Sequence, residues 1–534
     1  METAVGEPRP ADAMSRREVL ESLSGLLLVL FVALISSTVV STALPRIIGS
    51  LHGSQTQYTW VVTATLLTAT AATPIWGRLS DLFNKKGLIQ VAIVIFVAGS
   101  LVSGLAQNTG QLIAARAFQG IGVGGLQALV QVVIAAMIPP RERGRYNGLL
   151  GSVTAFATVG GPLLGGVIVD TSWLGWRWCF FIGVPIAAIA FLLLQLTLHI
   201  PTLRRDNVKI DYAGAALIAI GVSILLIWVS FVDNSFAWLS WQTVAMVVPG
   251  LLILFAATWV ERRAAQPVVP LDIVRQRVPA LAILASLAVG MAMFGGVVFL
   301  GQYFQIGRGY SPTQAGLLTI PLMLGVLVAS TVSGLLITRT GHIKSYLVLG
   351  SVILVAGFIS LGFIDHQTPL VWVGFGMLLI GLGVGMTLQN LVLAVQNMVA
   401  LRDLGAASGA VTFFRSLGGT MGVAVLGAVL AHQVTHTISA RLAAAGIPTG
   451  GSGRGDLDLA SLPAPVLSIV RSAYGDATAN IFVVSAAIGV VGIVAVLLLP
   501  RIVLRTSLDL PAEDPLGLDG LPEAEEAIAA RASD

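Results

Sequence analysis

This sequence has little charge and almost no cysteine, and both shortages narrow what it can be. Only 10% of its 534 residues are Asp, Glu, Lys or Arg, against about a quarter in an average soluble domain. A single cysteine, Cys179, excludes an intramolecular disulfide. The six histidines are scattered and form no ligand cluster, so we expect no metal site and no cofactor. A net charge of +4 is too small to indicate nucleic-acid binding.

Long apolar runs are what the chain has instead. Hydrophobic residues make up 56% of it, and its mean hydropathy is +0.89. A helix needs about 20 consecutive apolar residues to cross the bilayer core. Such runs occur at 23–45, 57–77, 88–107, 111–138, 146–169, 179–199, 212–232, 241–260, 280–301, 313–337, 345–364, 370–398, 410–437 and 479–504. Because lipid cannot hydrogen-bond the backbone, we predict an all-α membrane protein with 14 transmembrane helices.

Basic residues are concentrated in alternate loops, which predicts the orientation. With a cytoplasmic N-terminus, 22 of the 30 Lys and Arg residues lie in cytoplasmic loops or tails and six lie outside. The remaining two, Arg116 and Arg415, lie within spans. The positive-inside rule therefore predicts that both termini are cytoplasmic. The spacing of Ser15 and Glu18 predicts a capped interfacial helix before the first span.

Three motifs recur in the same order in the second half of the chain. VTAFATVGG at 153–161 is echoed by VTFFRSLGG at 411–419, and GRLSDLFNKKG from Gly77 is echoed by GLLITRTGHIK from Gly334. QGIGVGG is echoed by IGLGVGM. Such repeats are how many secondary transporters build a central site. They predict a cytoplasmic segment at 1–22, a six-helix bundle at 23–200, a linker with two inserted helices at 201–278, a second six-helix bundle at 279–505 with an external loop at 438–476, and an acidic cytoplasmic tail at 506–534.

Several segments together resemble the major facilitator superfamily, and specifically its fourteen-span drug:proton antiporter branch. They are TVVSTALP at 38–45, GRLSDLFNKK at 77–86, RAFQGIGVGG at 116–125, the run from Gly148 that ends GGPLLGG, WRWCFF at 176–181 and LGAASGAVTFFRSLGG at 404–419. The resemblance covers nearly the whole chain from Val39 to Pro500. It implies the major facilitator fold, a non-enzymatic multidrug efflux protein linked to antibiotic resistance, and a bacterial cytoplasmic membrane location.

The resemblance and the residue chemistry together suggest functional positions. Asp81 could accept hydrogen bonds from a helix N-terminus or pair with an arginine, forming a latch that breaks when the halves rock. We expect Asn84 to adopt a left-handed turn. The predicted latch consists of Gly77, Asp81, Asn84, Lys85 and Lys86. The predicted central charged group consists of Arg116, Gln119 and Arg415. The antiporter-motif helix carries Gly148, Ala157, Gly161, Pro162, Gly165 and Gly166. Arg116 and Arg415 could also be structural, binding backbone carbonyls of neighbouring helices.

The acid that the family usually carries in span 1 is missing. Ser36 stands in its place, and every carboxylate of the chain lies in a tail, in a loop or near a span end. A serine hydroxyl cannot carry a proton near neutral pH. Three accounts stay open: coupling through Asp81 and Arg116 or a misplaced acid such as Asp233, an uncoupled facilitator or lipid exporter, and a substrate that itself carries the exchanged charge.

Polar uncharged residues within spans predict a mostly apolar central cavity for amphipathic organic molecules. They are Ser36, Thr38, Ser41, Gln127, Gln131, Gln302, Gln389, Asn390 and Gln396, joined by the aromatic residues Phe294 and Tyr303. About half of the amides are expected only to join helices. We predict a monomeric exporter of hydrophobic small molecules, with membrane lipids and protons as its other partners. The alternatives are a lipid or glycolipid exporter, an uncoupled facilitator, and a non-transporting membrane sensor.

Overall fold

Helices make up almost all of the computed structural model of this protein, which describes residues 16–51, 55–171, 173–198, 211–232, 236–264, 267, 271–444 and 464–505. In these ranges the extended pairings are two isolated bridges, and there is no strand. The helices are α1 (Arg16–Ser50), α2 (Gln55–Leu82), α3 (Lys85–Gly104), α4 (Thr109–Met137), α5 (Pro140–Asp170), α6 (Trp178–Phe181), α7 (Gly183–Thr197), α8 (Tyr212–Phe231), α9 (Trp241–Glu261), α10 (Leu271–Arg275), α11 (Arg277–Gln302), α12 (Pro312–Leu318), α13 (Ile320–Thr340), α14 (Lys344–Leu361), α15 (Leu370–Gln396), α16 (Leu404–Ala444) and α17 (Ala464–Leu497). A π-helical turn follows α11 at Tyr303–Gly307, and a 3-10 turn at Leu401–Asp403 precedes α16.

Each of the fourteen apolar runs overlaps helix, with α6 and α7 sharing one run and α12 and α13 another. Eleven helical segments in the described ranges are long and apolar enough to cross a membrane, and α8 contributes a shorter apolar stretch, Ala213–Val229. The long helices α2 and α5 are not among these eleven. The prediction of an all-helical membrane protein is confirmed, while the count of fourteen spans stays a prediction.

The helices form two groups with α8 and α9 beside them. In the first group α1 packs on α5 and α7, and α4 packs on α2 and α3. In the second, α11 packs on α16 and α17, α15 packs on α13 and α14, and α14 packs on α17. The groups meet where α2 contacts α16 and where α5 contacts α13. The pair α8 and α9 joins α16 through an apolar cluster that includes Val222 and Phe413.

The sequence repeat has matching geometry in the two groups. Gly120 of α4 lies against the carbonyl of Thr65 in α2, and Gly381 of α15 lies against the carbonyl of Leu322 in α13. The offset from 65 to 322 is 257, the same as from Gly77 to Gly334. Neither glycine has room for a side-chain carbon. The glycines therefore set equivalent close helix contacts in both halves.

Both ends of the predicted external loop at 438–476 are helical. Helix α16 continues to Ala444 and α17 already begins at Ala464, while residues 445–463 lie outside the described ranges. The two helical extensions are joined by an ion pair between Arg441 Nη2 and Asp476 Oδ2, 2.5 Å apart. At the other terminus α1 runs without a break from Arg16, and both Ser15 and the tail at 506–534 lie outside the described part of the chain.

Candidate functional site

Both halves meet at one end of the helix bundle, which we call the basic end. Here α2, α4 and α15 finish and α3, α5 and α16 begin. Its basic side chains come from both halves: Arg78, Lys85, Lys86, Arg141, Arg143, Arg339, Lys344 and Arg505. The direct contacts between the halves at this end are the best-defined part of the predicted site.

Asp81 caps the first turn of α16 from the opposite half. Its Oδ1 accepts a hydrogen bond from the backbone N–H of Gly405 at 2.7 Å, and its Oδ2 accepts one from Ala406 at 2.8 Å. A carboxylate at a helix N-terminus satisfies unpaired N–H groups and lies favourably in the helix dipole. Arg78 lies beside it, with Nη1 3.7 Å from Asp81 and 3.9 Å from Asp403. Of the two arrangements expected for Asp81, helix capping therefore has the shorter contacts.

Gly77 allows α2 to reach α16. A Cβ atom added at Gly77 would lie 2.5 Å from the carbonyl oxygen of Gly405 and 3.1 Å from the Cα of Gly409. The second contact between the halves, where α5 meets α13, is packed in the same way. A Cβ atom added at Gly144 of α5 would lie 2.5 Å from the carbonyl oxygen of Gly334 in α13. Both contacts therefore require glycine.

The counterpart contact has no carboxylate. Thr338 stands where Asp81 would fall in the repeat, and its hydroxyl donates within its own helix to the carbonyl of Gly334 at 2.9 Å. Arg141 bridges the halves instead, because its Nε donates to the Thr338 carbonyl and its Nη2 to the Arg339 carbonyl, each at 3.2 Å. The two contacts are thus alike in glycine packing and different in charge.

The predicted left-handed turn at Asn84 is wrong. Asn84 has φ −61° and ψ 116°, and its side-chain oxygen accepts from the N–H groups of Lys86 and Gly87. This is the extended backbone of a helix N-cap, which satisfies the free N–H groups at the start of α3. Lys86 Nζ donates to the Gln195 carbonyl at the end of α7, 2.7 Å away. Asn84 and Lys86 therefore organise α3 within the first half and do not reach α16.

Side-chain amides close the basic end between α4, α5 and α15. Gln131 Nε2 donates to Gln389 Oε1 at 2.8 Å, and both residues are buried. Arg143 Nη1 donates to Gln396 Oε1 at 3.0 Å. Gln396 in turn donates to Ser408 Oγ at 2.9 Å. The first two of these bonds link the two halves at the basic end.

The segment after α17 adds a further link at this end. The backbone N–H of Arg505 donates to Asn397 Oδ1 at 2.9 Å, and the carbonyl of Arg505 accepts from the N–H of Arg141 at 3.0 Å. Asn397 Nδ2 also donates to the Val503 carbonyl. Asn397 therefore joins the end of α15 to the segment after α17.

Ser36 lies in the same polar cluster as Arg116. The Nη1 of buried Arg116 donates to Gln119 Oε1 at 2.7 Å, and Gln119 Nε2 lies 3.2 Å from Ser36 Oγ and 2.6 Å from Ser100 Oγ. The guanidinium carbon of Arg116 is 6.0 Å from the centre of the Phe180 ring. Within the described ranges, the Nε of Arg116 has no hydrogen-bond partner and no carboxylate pairs with this arginine.

Arg415 is on α16, in the other half from Arg116. Its backbone carbonyl packs against Gly290 of α11, and its Nη1 has no hydrogen-bond partner among the described residues. The structure shows no contact that brings Arg415 into the Arg116 cluster. The two arginines of the predicted central charged group are therefore separate features.

Helix α5 contacts both halves through small residues. Gly148 lies against Thr331 of α13, and Gly161 lies against Thr38 of α1. The Thr38 hydroxyl donates to the carbonyl of buried Ala157 at 3.0 Å. Gly165 is also buried, Gly166 is half-buried, and α5 continues through Pro162 to Asp170. Gly148, Ala157 and Gly161 therefore act in helix packing.

The residues predicted to line the cavity differ in burial and in contacts. Tyr303 is fully buried, and its hydroxyl donates to the Asp365 carbonyl at 2.7 Å because the π-helical turn after α11 packs against the loop before α15. Gln302 is exposed beside it. Gln127 is half-buried, and Asn390 is buried and donates to the Met386 carbonyl in its own helix. The side chains of Ser41 and Phe294 lie outside the described part of the structure.

Few carboxylates are buried. In the described ranges they are Asp81 and Glu261. Asp211 caps α8 by accepting from the N–H of Gly214. Asp365 closes a turn by accepting from the N–H of Gln367 and the hydroxyl of Thr368, and these bonds hold its pKa below the usual range. Asp233 lies outside the described residues.

The sequence analysis missed part of the closed end. From the sequence alone, Arg78 and Arg143 are only cytoplasmic charges and Asp403 is only an acid near a span end, yet they contact Asp81, Gln396 and Arg78 respectively. Arg78 lies inside the motif at 77–86 and Asp403 directly precedes the motif at 404–419, and this proximity is the available signal. The contacts of Arg78 with Asp403 and of Arg143 with Gln396 have no such signal, because they join the two halves through tertiary structure.

Comparisons with known proteins agree with this fold. The family model of the Major Facilitator Superfamily matches residues 26–423. The chain is 32% identical over 416 residues to the multidrug transporter protein MdtP of Bacillus subtilis, covering 78% of this chain and 76% of the relative. It is 31% identical over 528 residues to the efflux pump dotC of Dothistroma septosporum, covering 97% and 89%. An uncharacterized MFS-type transporter of Mycobacterium tuberculosis is 34% identical over 524 residues, with 98% and 75% covered.

Solved structures share the fold at low sequence identity. The proton:xylose symporter XylE superposes with a TM-score of 0.55 at 15% identity, covering 89% of this chain and 95% of that one. The human organic anion transporter MFSD10 superposes with a TM-score of 0.57 at 13% identity, covering 88% and 99%. The fold, the repeated helix contacts and the family match lead to one conclusion: this chain belongs to the Major Facilitator Superfamily and is a transmembrane transporter.

Proposed function

We propose that this protein is a secondary active exporter of hydrophobic or amphipathic small molecules. It has fourteen spans in two six-helix bundles with α8 and α9 inserted between them, acts as a monomer in a bacterial cytoplasmic membrane, and has its basic end in the cytoplasm. The efflux-pump relatives support the direction of transport, and the basic loops support the orientation. Export by alternating access then requires the basic end to open and close.

The observation that carries this proposal is Asp81 capping α16 across the two halves. Both carboxylate oxygens are used by N–H groups of the opposite half. Rocking of one half against the other must break these bonds together with the glycine contact at Gly77. The state seen here has the basic end closed, so a substrate would leave toward the opposite side of the membrane.

We further propose that protons drive export and that Asp81 is the group through which protonation favours opening. A protonated carboxyl group accepts hydrogen bonds less strongly and carries no charge to interact with the α16 dipole. Ser36 cannot take this role itself. Its hydroxyl contacts the Arg116 cluster by accepting a hydrogen bond from Gln119.

Two alternatives make different predictions. An uncoupled facilitator would move substrate without regard to a pH gradient, which the absence of an acid at Ser36 favours. A lipid or glycolipid exporter would move lipid substrates in preference to soluble dyes. A non-transporting sensor is disfavoured because family and relatives are transporters.

The test is uptake of a lipophilic cationic dye into proteoliposomes, with and without an imposed pH gradient. Uptake should follow the gradient in the wild type. Asp81→Asn should lower gradient-driven uptake by at least about tenfold, the scale of a lost hydrogen bond to a charged group. Asp365→Asn is the matched control, since it removes a carboxylate from an exposed turn.

Three outcomes distinguish the proposed function from its alternatives. Gradient-independent uptake in the wild type would overturn proton coupling and favour the facilitator. No dye uptake, combined with movement of labelled phospholipid, would favour the lipid exporter. If Asp81→Asn transports as well as Asp365→Asn, then Asp81 does not couple protons to opening.

A further inference from the structure

We propose that a cavity at the basic end, between the start of α14 and the segment after α17, binds the headgroup of an anionic phospholipid. This proposal concerns a site separate from the transport path. It relies on the membrane location of the chain and not on the substrate or the coupling proposed above.

The cavity has a volume of about 680 Å³ and opens to the outside of the protein. Its polar wall is formed by His342, Lys344, Ser345 and Arg501. Among the residues that the structure describes, no carboxylate lines it. A cavity of this size whose described polar wall has several basic groups and a hydroxyl complements a phosphate ester.

The backbone fixes the basic groups in place. Leu504 N–H donates to the Gly341 carbonyl at 3.0 Å, which holds the segment after α17 against the turn before α14. Lys344 Nζ donates to the carbonyls of Leu497 and Leu499 at the end of α17. An ammonium group has three N–H bonds, so one remains for a ligand. The site is therefore assembled from two distant segments of the chain.

The other two groups have hydrogen-bonding capacity left for a headgroup. His342 Nδ1 lies 2.8 Å from the Thr340 carbonyl, which can only accept, so Nδ1 carries a hydrogen. Nε2 then accepts from a headgroup hydroxyl when the ring is neutral and donates to a phosphate oxygen when the ring is protonated. Arg501 is exposed, and within the described ranges its guanidinium has no ion pair. A phosphate group can receive hydrogen bonds from such a fork-shaped donor.

The apolar wall favours a lipid over a soluble phosphate. Val348, Leu349 and Val352 line the cavity next to the polar wall, and Leu349 and Val352 are 48% and 46% exposed. Val348 and Val352 are one helical turn apart on α14, so they extend along the helix from the basic end into the membrane. A soluble phosphate would contact the basic groups alone, whereas a phospholipid would also cover these side chains with its acyl chain.

The experiment measures lipid binding to the full-length protein in detergent by native mass spectrometry. Phosphatidylglycerol and phosphatidylcholine with identical acyl chains are titrated separately, and glycerol 3-phosphate is added as a competitor. Phosphatidylglycerol should bind more tightly than phosphatidylcholine. The double variant His342→Gln/Arg501→Gln should weaken phosphatidylglycerol binding by about tenfold or more, the scale of one charge-assisted hydrogen bond.

The controls keep the result decisive. Arg262→Gln removes one charge from an exposed arginine at the end of α9 and should leave binding unchanged. Arg501→Lys keeps the charge, so on a His342→Gln background it should bind better than Arg501→Gln even if folding is perturbed in both. Equal binding of the two lipids, or equal weakening by Arg262→Gln, overturns the proposal. Displacement of phosphatidylglycerol by equimolar glycerol 3-phosphate overturns the lipid assignment and identifies a soluble phosphate site.

Discussion

At the scale of single residues, closure of the basic end depends on positions that have no side chain. Gly77 brings α2 so close to α16 that Asp81 can reach two N–H groups in the opposite half. The motif made Gly77 and Asp81 identifiable from the sequence. The role of Asn84 was predicted wrongly because its neighbours in sequence start a helix and its oxygen satisfies them. The contact of Arg78 with Asp403 could not be predicted, since it joins residues more than 300 positions apart.

Gly77→Ala should open the basic end. The added methyl group would meet the Gly405 carbonyl in the closed state. Overpacking of this kind costs roughly 1–3 kcal/mol. The ratio of closed to open molecules should therefore fall by roughly 5–150-fold. The measurement is the labelling rate of Ala135→Cys, a buried position at this end, in a Cys179→Ser background. Gly87→Ala is the control, because a Cβ there meets nothing within 4 Å. Equal labelling rates in the two variants would contradict the prediction.

At the scale of elements, apolar run length predicts where helices lie but not where they end. Helix α16 extends beyond the end of the apolar run at 410–437, and α17 begins before the run at 479–504. The two extensions are more polar than the runs, but Ile438 and Tyr474 pack against the apolar cluster between the helices, and Arg441 pairs with Asp476. In α2, the polar Thr65 faces another helix, since its hydroxyl donates to the carbonyl of Arg116 in α4.

Asp476→Asn should have a small effect. Both side chains of the Arg441–Asp476 pair are about two-fifths exposed, and exposed pairs contribute about 0–1 kcal/mol. We expect the unfolding temperature in detergent to fall by no more than about 4 °C, and dye uptake to stay at the wild-type level. Asp365→Asn provides a comparison, because it removes a carboxylate from an exposed turn. A much larger fall would show that the pair holds α16 and α17 together.

At the scale of the whole molecule, two similar halves are joined by dissimilar contacts. The repeat in the sequence predicted the two halves, because glycines at equivalent positions make equivalent helix contacts. It did not predict how they join. Asp81 caps α16 on one side, while Arg141 reaches backbone carbonyls of α13 on the other. Motif sequence alone could not identify Gln131 and Gln389 as partners, because each is also a plausible cavity residue.

The pair Gln131 and Gln389 allows a test of this closure. Gln131→Leu leaves the buried Gln389 amide without its partner, at a cost of about 1–3 kcal/mol to the closed state. Gln131→Leu/Gln389→Leu removes both polar groups and should restore much of the closed population. Labelling of Ala135→Cys should therefore be fastest in the single variant. If the double variant labels as fast as the single one or faster, the amide contact does not stabilise closure.

The kinds of group that join the halves also determine how closure responds to the ionic medium. Asp81 bonds to backbone amides, Gln131 bonds to Gln389, and Arg143 and Arg141 bond to neutral oxygens. Dissolved salt screens exposed opposite charges far more than it weakens buried bonds to neutral partners. Only Arg78 and Asp403 form an ion pair between the halves in the described ranges, and at 3.9 Å that pair is loose. The closed state should therefore persist over wide changes in ionic strength on the side of the membrane that the basic end faces.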